Sequence, residues 1–99
     1  MNITVSKSKS VLTVILDGRL DTFSSPMLET KLEEALSNDI KKLVFDCEKL
    51  EYISSAGLRV LAVALSAMED RGKMLMKNVS DDIREVFEVT SFIDFLTII

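Results

Sequence analysis

The chain has 99 residues, 47% of them apolar, enough to build the core of one domain without disulfides or metal and too few for two domains. Twelve Lys and Arg against 16 Asp and Glu leave a net charge of −4, and Lys41-Lys42 is the one adjacent basic pair, which excludes the clustered cations of a nucleic-acid binder or a polybasic membrane patch. With no His and a single Cys, the chain supplies neither a zinc site of the usual composition nor a Ser-His-Asp or Cys-His pair.

Ile3-Thr4-Val5-Ser6 alternates in polarity and Val11 to Leu16 is apolar and rich in β-branched residues, so two strands are expected there. Lys7-Ser8-Lys9-Ser10 is short enough to join them as a hairpin, and Asp17-Gly18 is expected to break the second. Ser25 and Pro26 read as the N-cap and first residue of a helix, where the missing proline N–H goes unneeded. Leu28, Leu32, Ala35 and Leu36 form its apolar stripe, Glu29, Glu33 and Glu34 its wet side, and Ser37-Asn38-Asp39 its end.

Leu43 to Cys47 reads as a strand buried on both faces, with Cys47 a small buried hydrophobe. A second helix is expected from Ser55 to Asp70, ending before Arg71-Gly72, and Lys73 to Lys77 as a short strand. Ser80 caps a third helix with Asp81 and Asp82 in the first turn, where the helix dipole favours acids, and Ile83, Val86 and Phe87 form its stripe. Phe95 to Ile99 is an apolar tail, either a last strand or an extended segment.

The expected fold is therefore α/β: one domain with a mixed sheet of four to five strands and three or more helices. An N-terminal hairpin joins parallel strands linked by right-handed crossovers. No segment approaches the roughly 18 apolar residues of a membrane span, and Met1 to Ser10 lacks the apolar core of a secretory signal. A lone cysteine fits a reducing, cytoplasmic setting.

The second helix carries more apolar surface than a surface helix needs. On a helical wheel, Leu58, Leu61, Ala62, Leu65 and Met68 gather on the side expected to face the sheet. Ala56, Val60, Val63, Ala64 and Ala67 fill the opposite arc, and Arg59 and Ser66 are the polar residues between 56 and 68. Such a helix is either covered on all sides or carries a docking face, and a chain with three helices points to docking.

Ser54 and Ser55 stand at the mouth of that helix, where one serine suffices as a cap. Gly57 removes a Cβ in the first turn and is expected to open backbone N–H groups to an incoming group. A helix N-terminus accommodates anions, so the domain would tolerate a phosphate on Ser55. That phosphate would add about −1.5 to −2 charges beside the apolar face and oppose docking there. Arg59, four residues after Ser55 on the same helical side, could reach a phosphate or a partner carboxylate, or stay a solvated cation.

These features resemble the STAS-domain anti-sigma factor antagonists (anti-anti-sigma factors) over the whole chain. Gly18-Arg19-Leu20-Asp21, leading into Ser25-Pro26, is similar to the family's Gly-x-Leu-Asp segment. Leu43-Val44-Phe45-Asp46 followed by Tyr52-Ile53-Ser54-Ser55-Ala56-Gly57-Leu58 is similar to its second and more specific motif. The resemblance implies a STAS domain over residues 1–99, a bacterial regulator of transcription and not an enzyme, with no cofactor or metal. It implies that Ser55, two positions before Gly57, is phosphorylated by the partner anti-sigma factor, itself a serine kinase. The unphosphorylated form would bind that kinase and free the sigma factor, and a metal-dependent serine phosphatase would restore it.

Many family members have Asp before the phosphorylated serine where this chain has Ser54, so Ser54 stands as the alternative hydroxyl. Asp21 matches an acidic family position near the phosphosite that contributes to partner contact; it reads equally as a turn residue before a helix. The expected partner-binding set is Asp21, Ser54, Ala56, Gly57, Arg59, Val60 and Val63, on a monomer when free that contacts neither nucleic acid nor membrane.

Two other readings compete. Asp46 at the end of a strand is where receiver domains hold a phosphoacceptor, but Asp17 and Asp21 do not form the adjacent acidic pair that such domains need. A STAS-type module binding a nucleotide or lipid, or scaffolding an assembly without sigma-factor control, is the other. The isolated glycines offer it no phosphate-cradling loop.

Overall fold

A computed structural model describes residues 1–99. β1 (Asn2–Ser8) and β2 (Val11–Leu20) form the expected hairpin, turning at Lys9, whose φ is 57°. β2 pairs parallel with β3 (Lys42–Ile53), β3 with β4 (Lys73–Lys77), and β4 with the short β5 (Thr97–Ile98). Parallel steps need crossovers. These are α1 (Ser25–Ala35), α2 (Ser55–Met68) and α3 (Asp81–Val89), the last followed by a 3-10 turn at Phe92–Phe95. The result is one mixed five-stranded sheet in the order β1-β2-β3-β4-β5, the α/β architecture expected from the sequence.

The register builds the core. Leu12, Leu43 and Met74 lie in one row across the sheet, and Val14, Phe45 and Met76 in the next, all buried. Leu28 and Leu32 of α1, Leu61 and Met68 of α2, and Ile83 and Phe87 of α3 complete that core. Each such side chain contributes about 1.5–3 kcal/mol by leaving water. Cys47 belongs to it too, and burial pushes its thiol up to about 12, so it stays protonated.

The expectation that Leu43–Cys47 is buried on both faces is corrected. Leu43, Phe45 and Cys47 enter the core, while Val44 and Asp46 are half-exposed on the opposite face, because the helices pack on one side only. The expected break at Asp17-Gly18 is also corrected. The strand runs on through a bulge, with register shifts between Ile15 and Asp17 and between Gly18 and Arg19, and Gly18 at φ 113°. β3 likewise continues past Cys47, with Leu50 and Ile53 still buried. These two extensions carry β2 and β3 to a common edge.

Two helix details differ from expectation. α1 begins one residue early, with Ser24 at the N-cap in helical backbone and Pro26 in the second helical position. α2 is rotated: Gly57, Val60, Leu61, Ala64 and Met68 are buried, Leu58 and Leu65 are half-buried, and Ala62 is exposed. The cause is α1, which packs alongside and meets Val60 and Ala64 with Leu32 and Leu36 across a groove. Val60, at 5% exposure, is therefore core rather than docking surface, whereas Val63, at 55%, remains open. Ser80 caps α3 as expected, its hydroxyl accepting the Ile83 N–H at 3.2 Å. No helix is long and apolar enough to cross a membrane.

Candidate functional site

β2 and β3 end side by side, with Leu20 paired to Ile53, and the chain leaves the sheet at both ends together. The Ser54 N–H donates to the Leu20 carbonyl at 2.8 Å and ties the two departing turns to each other. The carboxyl edge of parallel strands is where α/β sheets commonly place their sites.

At this edge the two adjacent serines do different things. Ser54 has extended backbone and is the N-cap of α2; its hydroxyl accepts the Gly57 N–H at 3.3 Å, and its carbonyl accepts the Leu58 N–H at 2.9 Å. Ser55 is the first helical residue, exposed, and its hydroxyl takes part in none of the side-chain hydrogen bonds of the fold. Ser54→Ala is expected to cost about 1 kcal/mol through the lost cap. Ser55→Ala should stay within about 0.5 kcal/mol of the parent, as for an unpartnered surface residue. Urea denaturation of both variants checks this, and the reverse order would make Ser55 the cap.

Gly57 is corrected in role. It is buried, and a Cβ there would stand 2.9 Å from Ile53 Cγ1 and from Leu20 Cγ and Cδ2. The missing side chain lets α2 start directly on the ends of β2 and β3. Its N–H is taken by Ser54 and does not await an incoming group.

The turn after β2 is built around Asp21. Its Oδ1 accepts the N–H groups of Phe23 and Ser24, each at 3.0 Å. The buried Ser24 hydroxyl accepts the Asp21 N–H at 2.9 Å and donates to the Arg19 carbonyl at 2.7 Å. The buried Ser25 hydroxyl donates to the Asp21 carbonyl at 2.5 Å. The Ser24 N–H bond, with smaller contributions from Phe23, the Ser24 hydroxyl and Arg19, holds the Asp21 carboxyl below the usual carboxylate range against some desolvation.

A depressed folded pKa means that the turn contributes its stability above the unfolded value and loses it as pH falls through the folded one. Thermal melts from about pH 6 down to about pH 2 should therefore show the parent losing more Tm than Asp21→Asn, which keeps an acceptor oxygen but does not titrate.

Beside Asp21 the same turn holds Phe23 out at 88% exposure, the most exposed of the large hydrophobic side chains. The sequence reading passed it over. Its signal was a lone aromatic in the polar run Asp21-Thr22-Phe23-Ser24-Ser25, outside any apolar stripe. Arg19 and Tyr52, register neighbours at the ends of β2 and β3, stack with the guanidinium 4.2 Å from the ring centroid.

A depression lined by Thr22, Ser25 and Pro26 on one side and Ala56 and Arg59 on the other joins the Asp21 turn to the mouth of α2. The apolar groove between α1 and α2, lined by Leu32, Leu36, Val63 and Ala67, continues from it, sharing Glu29 and Val60. The structure thus brings Asp21, Ser54, Ala56 and Arg59 to one edge, places Gly57 and Val60 beneath it, and leaves Val63 further along the groove. Asp46 lies apart: β3 runs on to Ile53, so it is not at a strand end, and its carboxylate accepts from Asn78 Nδ2 at 3.0 Å and the Glu48 N–H at 3.1 Å.

The sequence model of the STAS domain matches residues 2–99. BtrV of Bordetella bronchiseptica, named for an inferred role as anti-sigma factor antagonist, is 31% identical over 99 residues, covering 99% of this chain and 85% of BtrV. The anti-sigma-B factor antagonist of Staphylococcus aureus is 28% identical over 97 residues, covering 97% of this chain and 90% of that protein. In fold the chain is similar to the anti-sigma factor antagonist SpoIIAA in its unphosphorylated form, with a TM-score of 0.79 at 17% identity over 99% of this chain and 87% of the other. The phosphorylated form of SpoIIAA, from Bacillus, gives a TM-score of 0.77 at 17% identity over 99% and 91%.

Proposed function

Because the chain belongs to the STAS anti-sigma factor antagonist family, whose members are regulatory binding proteins and not enzymes, we propose that it binds an anti-sigma factor with serine-kinase activity and releases it once Ser55 is phosphorylated. The observation that carries this reading is the division of labour between the serines. Ser54 spends its hydroxyl on the α2 cap, so modifying it would remove a structural bond, while the Ser55 hydroxyl is exposed and unused. SpoIIAA, known in phosphorylated and unphosphorylated forms, supports a switch of this kind on this fold.

The mechanism follows from position. A phosphate on Ser55 sits at the start of α2, where the helix dipole and the solvent accommodate it, so the domain keeps its fold. An interface closing over the same edge would have to desolvate about two negative charges, and it opens instead. Ala56 and Arg59 in the depression, Val63 along the groove and the Asp21 turn form the contact surface, with Gly57 and Val60 supporting it from below. Binding of the anti-sigma factor frees the sigma factor, and a metal-dependent serine phosphatase returns the protein to its binding form, all in the bacterial cytoplasm.

The test uses the protein, the anti-sigma factor kinase, Mg²⁺ and ATP in size-exclusion chromatography. The complex should form before turnover and disappear as phosphate accumulates, then re-form after phosphatase treatment. A complex that persists with fully phosphorylated protein contradicts the switch.

A further inference from the structure

We propose that Phe23 is the anchor with which the protein engages an apolar pocket on the anti-sigma factor, and that Asp21 is a positioning residue that aims it. The inference rests on the partner-switching reading above and adds to it a specificity-determining side chain and the chemistry of the surface that receives it.

Three observations converge. Phe23 is 88% exposed, and Met27, one helical turn on, is 48% exposed, so the two form an apolar patch in a polar segment. The patch is rigidly presented: the Asp21 carboxylate accepts the N–H groups of Phe23 and Ser24, and the buried Ser24 and Ser25 hydroxyls clamp the same turn. A slack loop would let an aromatic ring fold back onto the surface. Here the backbone that carries the ring is fixed before binding, which removes part of the ordering cost from association.

The patch adjoins the proposed phosphosite across the Asp21 turn: Phe23 and Met27 line a depression with Met1, Arg19 and Glu51, and Thr22, next in the chain, faces the one on the α2 side. Leu20 pairs with Ile53, Ser54 donates to the Leu20 carbonyl, and Thr22 lines the same depression as Ala56 and Arg59. One partner surface can therefore cover Phe23 and Ser55 together. Aromatic side chains are enriched in interfaces, and interface cores are depleted of charge, so the receiving surface is an apolar pocket rather than an acidic or basic one. The Asp21 carboxylate, meanwhile, works within its own turn and reaches the partner through Phe23.

The kinase that labels Ser55 provides the test, with KM and kcat measured for phosphorylation of each variant. Phe23→Ala should raise KM by about thirtyfold and leave kcat within about twofold, the loss expected of a truncated hot-spot side chain. Its Tm should be unchanged, because the ring touches little of the fold. Phe23→Leu, still apolar, should recover most of the affinity. Asp21→Ala should raise KM to a similar extent, and the double variant should be no worse than Phe23→Ala alone, since both act through one contact. A KM for Phe23→Ala within about twofold of the parent overturns the anchor. Losses that multiply in the double variant overturn the positioning role and make Asp21 a direct contact. Labelling of the parent at Ser55 reads the switch itself, so the two ideas fail separately.

Discussion

Ser55→Asp is expected to weaken anti-sigma factor binding by about a hundredfold while leaving the domain as stable as the parent or slightly more so. The two effects have opposite signs because they act on different surroundings. In the free protein the new carboxylate occupies the first position of α2, where the dipole and the unpaired N–H groups favour an acid by about 0.3–1 kcal/mol. In the complex the same charge is taken from water without a partner, a cost of about 2–5 kcal/mol. Ser55→Ala should bind as the parent does, because the hydroxyl has no bond to lose. Calorimetric titration gives the affinities and thermal melting the stabilities. A Ser55→Asp protein that binds within about threefold of the parent, or one that is clearly destabilised, contradicts this account of the edge.

Gly72→Ala is expected to cost about 3 kcal/mol or more, although Gly72 lies at the surface. A Cβ at Gly72 would stand 1.9 Å from the Lys41 carbonyl oxygen and 2.7 Å from its carbon. Those are backbone atoms and have no rotamer to retreat into. The same carbonyl accepts the Lys73 N–H at 3.0 Å and opens the β3–β4 ladder at the Lys42–Lys73 pair. Relieving the clash therefore loosens a parallel pairing that the core depends on.

Gly57→Ala is the control. Its Cβ would press at 2.9 Å on the buried side chains of Ile53 and Leu20, which yield by repacking where a backbone carbonyl cannot, and alanine offsets part of that cost with about 1 kcal/mol of helix propensity. Urea unfolding of the two variants should rank Gly72→Ala as much the worse. A loss below about 1 kcal/mol at Gly72 would show that the turn yields more easily than its geometry implies.

The parts of the fold that were legible in the sequence were those fixed by local chemistry. Ser80 with Asp81 and Asp82 announces α3, and Lys73 and Lys77 bracket Met74-Leu75-Met76 in a strand whose ends match the structure residue for residue. The β2 and β3 extensions were hidden because Asp17-Gly18 looks like a break until the neighbouring strand pairs Asp17 with Lys49 and Gly18 with Leu50. The phase of α2 was hidden for a related reason. A wheel weighted by side-chain size turns Leu58 and Leu65 toward the sheet, whereas the close approach of α1, β2 and β3 selects the small Gly57 and Ala64 and buries Val60 with them.

The site divides along the same line. Ser54, Ser55 and Asp21 were visible as residues, but which serine caps α2 is decided by backbone conformation at the strand edge. That Asp21 closes its own turn depends on hydrogen bonds to Phe23 and Ser24 that no periodicity encodes. Phe23 was missed because apolar residues are found by their stripes, and this ring stands outside any stripe. Of the arc expected to dock, Val63 is open on the groove and Val60 lies below it.

Ser55, and not Ser54, is expected to carry the switch. Mass-spectrometric mapping after incubation with the anti-sigma factor kinase, Mg²⁺ and ATP tests it most directly, with Ser54→Ala and Ser55→Ala run beside the parent. Phosphate is expected on Ser55 in the parent and in Ser54→Ala, and none in Ser55→Ala, which still binds the kinase. Phosphate on Ser54, or labelling undiminished in Ser55→Ala, would contradict it.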